Sequence, residues 1–219
     1  MLYLALSCLQ GRPMSGALDE LLALGPDGVQ LTPGNHPTPR FAERVAAVRT
    51  RTHHGFSFTH ARHAVWRDDG RCAVSSDSVH PPQRTHPAAA TFFDAEHPVL
   101  ETMYPGYALG SGSELEAAMS RGLPLAVDVS HVFLQREAGV LGEATWRRLQ
   151  DYARVVEVHV SKNDGRTDAH QPLTAETFGL EWARAKLRGG TPVIVESYLH
   201  RSPADARRAQ VALFDQDRS

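Results

Sequence analysis

The chain has 219 residues, of which 42% are hydrophobic, and 23 basic and 25 acidic side chains give it a formal net charge of −2. This composition fits one domain over residues 1–219 and excludes an intrinsically disordered chain or a nucleic-acid binder with a broad basic surface. Two cysteines, Cys8 and Cys72, are too few for a disulfide framework or a thiolate metal cage, whereas twelve histidines are unusually many.

No apolar run reaches the roughly 20 residues of a membrane span, and no basic segment precedes the apolar start of the chain. We therefore expect a cytoplasmic protein without a membrane partner.

Apolar strand-like runs alternate with helical patterns along the chain. A capping-box spacing from Ser113 to Glu116 marks one helix start, and Ser202-Pro203 marks that of the last helix. In chain order the predicted elements are strand 2–6, helix 15–24, strand 28–32, helix 41–48, strands 49–53, 72–79 and 99–103, helix 113–122, strand 125–129, helix 143–152, strand 155–160, helix 175–188, strand 193–197 and the last helix.

Eight strands with helices between them predict a parallel sheet closed into an α/β (β/α)₈ barrel. The degenerate unit lies around residues 54–80, where 56–70 show no convincing helix. An open doubly wound sheet is the alternative, but residues 9–13 (LQGRP) after the first strand are not a glycine-rich phosphate loop.

Polar side chains end several of the predicted strands, where a barrel carries its catalytic groups. A buried carboxylate is costly without compensation, and carboxylates converging on one barrel mouth would repel each other without a cation. This pattern predicts a divalent-metal site. The residues at the strand ends are His53, Glu101, Asp128, His159 and Glu196.

The motifs at these strand ends resemble those of the xylose isomerase-like TIM-barrel superfamily. That superfamily includes sugar isomerases and epimerases, nucleases of the endonuclease IV type and peptide-modifying iron enzymes. The resemblance spans about residues 50–200 and rests on the ordered set THHGF, VHPP, ETMYPGY, DVSH, HVSKNDGRTDAH and VIVES.

The resemblance implies one to three divalent ions, and oxygen and nitrogen ligands without thiolates suit Zn²⁺, Mn²⁺, Fe²⁺ or Co²⁺. Between His53 and His54, the strand phase favours His53 as the ligand. The implied ligands are Glu101, Asp128, His159 and Glu196 for a principal metal, His131, Asp168 and His170 for a second, and His53 and His80 for a third shared through Glu101.

The first functional hypothesis is isomerisation or epimerisation of a small sugar, sugar phosphate or keto-acid by metal-assisted proton transfer. Glu101 and Glu196 would be the acid/base pair, and Arg166 or Lys162, in the loop after His159, would orient the substrate.

Two other reactions remain open. Seven to nine candidate ligands favour a multinuclear phosphoester hydrolase of endonuclease IV type, although the near-neutral charge argues against a nucleic-acid substrate. The other open reaction is iron-dependent oxidation of a peptide, and a non-catalytic metal-binding barrel ranks last.

Trp66 is interpreted as one aromatic packed under a loop. The histidines left as ordinary core or surface residues are His36, His60, His63, His86, His97 and His200.

Overall fold

The computed structural model describes residues 1–32, 39–54, 65–94 and 98–215. Eight parallel strands pair in sequence order, and β8 pairs with β1 to close a barrel. The predicted (β/α)₈ barrel is therefore confirmed, and the open doubly wound sheet is excluded. The strands are β1 Leu2–Ala5, β2 Gly28–Leu31, β3 Thr50–His54, β4 Ser78–Val79, β5 Val99–Glu101, β6 Leu125–Asp128, β7 Val155–Val160 and β8 Val193–Val195.

Seven α-helices lie between or after the strands in the described parts of the chain. None of these helices is long and apolar enough to cross a membrane. They are α1 Met14–Leu22, α2 Pro39–Ala46, α3 Gly112–Ser120, α4 Val129–Glu137, α5 Glu143–Gln150, α6 Leu180–Arg188 and α7 Ala204–Ala212.

Helix α4 was missed by the sequence analysis, which extended the preceding strand to residue 129. Asp128 ends β6 and is at the same time the N-cap of α4, so no loop separates the two elements. Its Oδ1 accepts hydrogen bonds from the backbone N–H groups of Ser130 at 2.6 Å and His131 at 3.3 Å. The apolar Val129 therefore begins a helix rather than ending a strand.

The caps predicted for two helices are wrong by one or two residues. The N-cap of α3 is Ser111, whose Oγ donates to Glu114 Oε2 at 2.8 Å, so the capping box does not run from Ser113 to Glu116. Pro203 is the N-cap of α7 rather than its first helical residue, and no side chain caps that helix.

Several elements are shorter than predicted, and the largest differences are in α6 and β4. Helix α6 begins at Leu180 instead of residue 175, because Gly179 before it has a left-handed φ of 74°. A Cβ on Gly179 would lie 2.8 Å from Val129 Cβ, so a side chain has no room there. Strand β4 has only two residues, Ser78 and Val79, where the sequence predicted a strand over 72–79.

A polar layer crosses the barrel interior below the C-terminal ends of the strands. Glu157 of β7 is fully buried, accepts a hydrogen bond from Ser78 of β4 at 2.5 Å, and pairs with Arg51 of β3. Strand β7 is not a neighbour of β3 or β4 in the sheet, so these contacts span the interior.

Candidate metal centre

Four acidic or imidazole side chains converge where β5, β6, β7 and β8 end. Each offers one ligand atom, and these atoms all lie within 4.8 Å of one another. Nδ1 of His159 is 3.2 Å from Glu101 Oε1 and 3.2 Å from Glu196 Oε1. We call this set the principal group; its members are Glu101, Asp128, His159 and Glu196.

Several buried atoms of the principal group make no hydrogen bond among the described residues. They are both carboxylate oxygens of Glu101, Oδ2 of Asp128 and Nδ1 of His159. The ion-pair contacts above are close but lack hydrogen-bond geometry. Leaving a buried polar atom unsatisfied costs roughly 1–3 kcal/mol, and more for a charged group. A divalent cation would satisfy all of these atoms at once, so the donor set fits such an ion.

Local structure directs two of these side chains into the principal group. The Oδ1 atom of Asp128 caps α4, which leaves Oδ2 facing the centre. Nε2 of His159 lies 2.6 Å from Glu157 Oε1, which leaves Nδ1 facing Glu101 and Glu196. One atom of each side chain is held by the scaffold, and the other faces the centre.

A second group, formed by His131, Asp168 and His170, adjoins the principal one. Nε2 of His131 and Nε2 of His170 each lie 3.2 Å from Asp168 Oδ2. Nδ1 of His131 lies 2.9 Å from the Thr102 carbonyl, so its Nε2 is the nitrogen that faces the group. His131 Nε2 is also 3.6 Å from Asp128 Oδ2, which connects the two groups.

The loop after β7 folds back to bring Asp168 and His170 to His131. The backbones of Lys162 and Gln171 pair at 3.0 and 2.6 Å and close the loop. His170 itself has a left-handed φ of 44°, a conformation that costs energy for a non-glycine residue. The surrounding contacts therefore hold His170 in place.

A third group, formed by His53, His80 and Glu101, lies on the other side of the principal group. Nε2 of His53 is 3.1 Å and Nε2 of His80 is 2.8 Å from Glu101 Oε2. Between the two adjacent histidines of β3, the structure brings His53 to this group, as the strand phase predicted. Glu101 thus belongs to two groups.

Histidines alternate with carboxylates throughout the centre, and this sets the pKa values. Burial raises the pKa of Glu101, but the imidazoles of His80, His53 and His159 outweigh it and lower that pKa well below the usual range. Burial lowers the pKa of His159, but the neighbouring carboxylates, Glu196 first, raise it well above 6.5. Glu101 and His159 thus stabilise each other's charged forms, which the sequence analysis did not anticipate.

Asp128 differs from the other carboxylates. Burial is the main cause that raises the pKa of Asp128, to about 6. The negative charges of Glu101 and Glu196 add to this rise, and the attraction of His131 opposes it. A cation bound at Oδ2 would favour the ionised form of Asp128, since metal ligands must be deprotonated.

The two cations proposed for substrate binding lie in different places. Arg166 is exposed and borders a cavity of about 500 Å³ that is also lined by Tyr104 and Asp168. Lys162 donates to Thr174 Oγ1 at 3.3 Å and lines another cavity, of about 310 Å³. Of these two cavities, the one beside Arg166 is lined by a candidate metal ligand, Asp168.

Sequence reasoning left out several residues that shape the centre. Tyr104 packs edge-on against His131 with ring centroids 5.0 Å apart, and Ser78 lies 2.8 Å from His53 Nδ1. From its position two residues before His159 on the same strand face, Glu157 is predicted to serve packing or to orient a ligand rather than to transfer a proton. The sequence signal for Glu157 was its spacing from His159, because residues i and i+2 of a strand point to the same face.

Two of the residues interpreted as ordinary, Trp66 and His86, make ordinary packing contacts or hydrogen bonds, whereas Nδ1 of His200 is buried without a hydrogen-bond partner among the described residues. Trp66 is buried, packs edge-on against Phe92 and donates from its indole to the His80 carbonyl at 2.7 Å. His86 accepts from the Ala88 N–H at a helix start. The histidines outside the described residues are His36, His60, His63 and His97.

The barrel and the position of the candidate centre define a class of protein. The chain is a (β/α)₈ TIM barrel with the candidate metal-ligating residues at its C-terminal mouth. The barrel fold that the resemblance implied is thereby confirmed.

Solved structures similar to this chain include proteins described as sugar 3-epimerases or as similar to one. A D-tagatose 3-epimerase-like protein is 11% identical with a TM-score of 0.62, over 98% of each chain. A D-allulose 3-epimerase from Methylomonas sp. is 11% identical with a TM-score of 0.63, over 99% of this chain and 97% of that one. An L-ribulose 3-epimerase is 10% identical with a TM-score of 0.55, over 96% and 86%. No protein-family model and no curated protein sequence matches the chain.

Proposed function

We propose that this protein is a divalent-metal-dependent isomerase or epimerase of a small sugar, sugar phosphate or keto-acid. The observation that carries the proposal is the principal group, in which ligand atoms from four successive strand ends lie within 4.8 Å of one another. The sugar 3-epimerases among the similar structures support the same reaction class.

The metal would be held by the principal group: Glu101, Asp128, His159 and Glu196. When bound, a divalent ion at this position polarises a carbonyl and its neighbouring hydroxyl and so acidifies the adjacent C–H bond. Zn²⁺, Mn²⁺, Fe²⁺ and Co²⁺ all suit its nitrogen and oxygen donors.

Glu196 and Glu101 differ in their access to a substrate. The Glu196 side chain is 10% exposed and its Oε1 lies against His159, which leaves Oε2 to take a proton from the substrate carbon. Glu101 is 1% exposed and enclosed by imidazoles. As the second member of the acid/base pair it would relay a proton from a neighbouring imidazole to the substrate, because it is itself ionised. A positioned general base of this kind contributes roughly 10²–10⁴-fold to the rate.

Arg166 is the group that would orient the substrate. It borders the cavity that also contains Asp168 of the second group. Its guanidinium would bind a phosphate, a carboxylate or vicinal hydroxyls, because it presents several N–H donors in one plane.

The test combines metal analysis with isotope exchange. Purified protein loaded with Mn²⁺ or Co²⁺ is incubated in D₂O with a panel of ketohexoses, ketopentoses and their phosphates. We expect one tightly bound equivalent of metal, deuterium at the carbon next to the carbonyl, and the epimer as product. An Asp128→Asn variant serves as the metal-deficient control. Tight metal binding with no exchange on any member of the panel would contradict the proposal.

A second candidate is multinuclear phosphoester hydrolysis, and the second and third groups favour it. His131 lies 3.6 Å from Glu101 Oε1 and 3.6 Å from Asp128 Oδ2, so the second group is close enough to the principal one for each of them to hold an ion. Two-metal hydrolases hold their ions roughly 3.5–4 Å apart. Two or three bound equivalents together with cleavage of bis(4-nitrophenyl) phosphate would support hydrolysis over isomerisation. Two or three equivalents of iron would instead support peptide oxidation.

A further inference from the structure

Directly beneath the candidate centre, one carboxylate connects two histidines of different groups. Glu157 lies on β7, and its side chain is fully buried. Its Oε1 lies 2.6 Å from His159 Nε2 and accepts from Ser78 Oγ at 2.5 Å. Its Oε2 pairs with the guanidinium of Arg51. Ser78 Oγ lies 2.8 Å from His53 Nδ1, which extends the chain of contacts to the third group.

The number of hydrogens on each group determines which atom donates in this series of hydrogen bonds. An ionised carboxylate only accepts, so His159 Nε2 and Ser78 Oγ must both donate to Glu157. A serine hydroxyl has one hydrogen, and Ser78 gives that hydrogen to Glu157. Ser78 therefore accepts from His53, and His53 Nδ1 must carry a hydrogen. The amide nitrogen of Gln30 lies 3.4 Å from His159 Nε2, too far to compete with the carboxylate at 2.6 Å.

This order determines which nitrogen each histidine offers to a metal. His159 is left with Nδ1, 3.2 Å from both Glu101 and Glu196. His53 is left with Nε2, 3.1 Å from Glu101 Oε2. Both remaining nitrogens face the candidate centre.

We propose that Glu157 is a positioning residue that orients His159 directly and His53 through Ser78, so that His159 presents its free nitrogen to the principal group and His53 presents its free nitrogen to the third group. The inference rests on the proposed metal-dependent function. Partners of this kind hold ligating histidines in many metal sites, and removing them typically costs roughly 10–100-fold in metal affinity. Here a single carboxylate would serve two ligands from opposite sides of the barrel.

The test begins with ring N–H protons in the metal-free protein. Hydrogen bonds protect such protons from exchange, so ¹⁵N-histidine labelling resolves the Nε2–H of His159 and the Nδ1–H of His53. The spectra of His159→Gln and His53→Gln variants assign the two signals. We expect Glu157→Gln to lose the His159 signal and Ser78→Ala to lose only the His53 signal. Arg51→Lys, which changes another partner of Glu157, should lower the melting temperature and keep both signals.

Metal affinity is the second measurement, by competition of Zn²⁺ and Mn²⁺ with a chelator. We expect a loss of about 10–100-fold for Glu157→Gln. Ser78→Ala should retain the affinity of the principal group, since His53 is not a member of it.

Unchanged N–H signals in Glu157→Gln, or wild-type metal affinity in that variant, would overturn the inference. If Glu157→Gln does not fold, the Ser78→Ala variant provides the test. Retention of the His53 N–H signal in Ser78→Ala would contradict the proposed hydrogen-bond order. A wild-type protein that shows both signals yet binds neither ion would overturn the proposed function and leave the hydrogen-bond order standing.

Discussion

Asp128 and His131 share one helix start, yet their side chains belong to different groups. Oδ1 of Asp128 accepts from the backbone N–H of His131 at 3.3 Å, and Oδ2 of Asp128 lies 3.6 Å from Nε2 of His131. The aspartate ends β6 and faces the principal group, whereas the histidine lies in the first turn of α4 and faces Asp168. A strand that passes directly into a helix thus supplies both groups.

The first prediction separates these two residues by metal content. Asp128→Ala should remove the principal metal and the activity, and should also destabilise the protein by about 1 kcal/mol through loss of the helix cap. His131→Ala should keep the principal metal and lose only a second, more weakly bound equivalent. Elemental analysis after dialysis, together with thermal unfolding, measures both effects.

Asp128→Asn is the matched control for the cap. Asparagine caps a helix about as well as aspartate does, so this variant should lose the metal and keep the stability of the metal-free wild type. Unchanged metal content in the alanine variants of both Asp128 and His131 would contradict the assignment.

The second prediction concerns the stability of the metal-free protein. A ligand that binds only the folded state at 100 times its Kd adds about 2.7 kcal/mol to the free energy of unfolding. For a chain of this length that corresponds to a rise in melting temperature of roughly 5–10 °C. Calorimetry before and after chelation, with metal restored as the control, measures the shift. A melting temperature that does not respond to chelation would argue against a preformed site.

The third prediction tests Glu196 as the base. Glu196→Gln keeps the shape and one oxygen ligand but removes the proton acceptor, so turnover should fall by roughly 10²–10⁴-fold while metal binding weakens less. Glu157→Gln, measured at saturating metal, should retain more turnover than Glu196→Gln because Glu157 touches His159 and not the substrate.

Glu143→Gln is the surface control for this experiment, because Glu143 is half-exposed and pairs with Arg147 on its own helix. It should behave as the wild type. An active Glu196→Gln beside an inactive, metal-loaded Glu157→Gln would show that the base is not on β8.

The fourth prediction distinguishes the two candidate cations. Arg166→Ala should raise KM for an anionic substrate by about 10–100-fold with little change in kcat, because a hydrogen bond to a charged group contributes roughly 1.5–3 kcal/mol. Lys162→Ala should leave both constants close to wild type, since Lys162 lines the other cavity and bonds to Thr174. Steady-state kinetics on the phosphorylated and the neutral form of one sugar provide the comparison. The reverse pattern would place the substrate in the Lys162 cavity.

The barrel and the order of the polar strand ends follow from the sequence alone. Apolar runs alternate with helical patterns, and the C-terminal ends of parallel strands meet at one mouth, so Glu101, Asp128, His159 and Glu196 were expected together. Strand phase also separated His53 from His54. The sequence predicted Ser113 as the cap of α3, whereas the structure has Ser111. Local sequence cannot separate the two, because each serine is followed three residues later by a glutamate, and only the packing of the helix selects one.

Only the tertiary structure decided which groups meet across the barrel. Arg51, Ser78 and Glu157 come from strands that are not all neighbours, so no local pattern links them. The return of Asp168 and His170 to His131 depends on the backbone pairing of Lys162 with Gln171. Sequence determines which side chains point inward along each strand, because that depends on local alternation. Closing the barrel determines which of them touch, because those contacts join residues as far apart as Arg51 and Glu157, which are 106 positions apart in the chain.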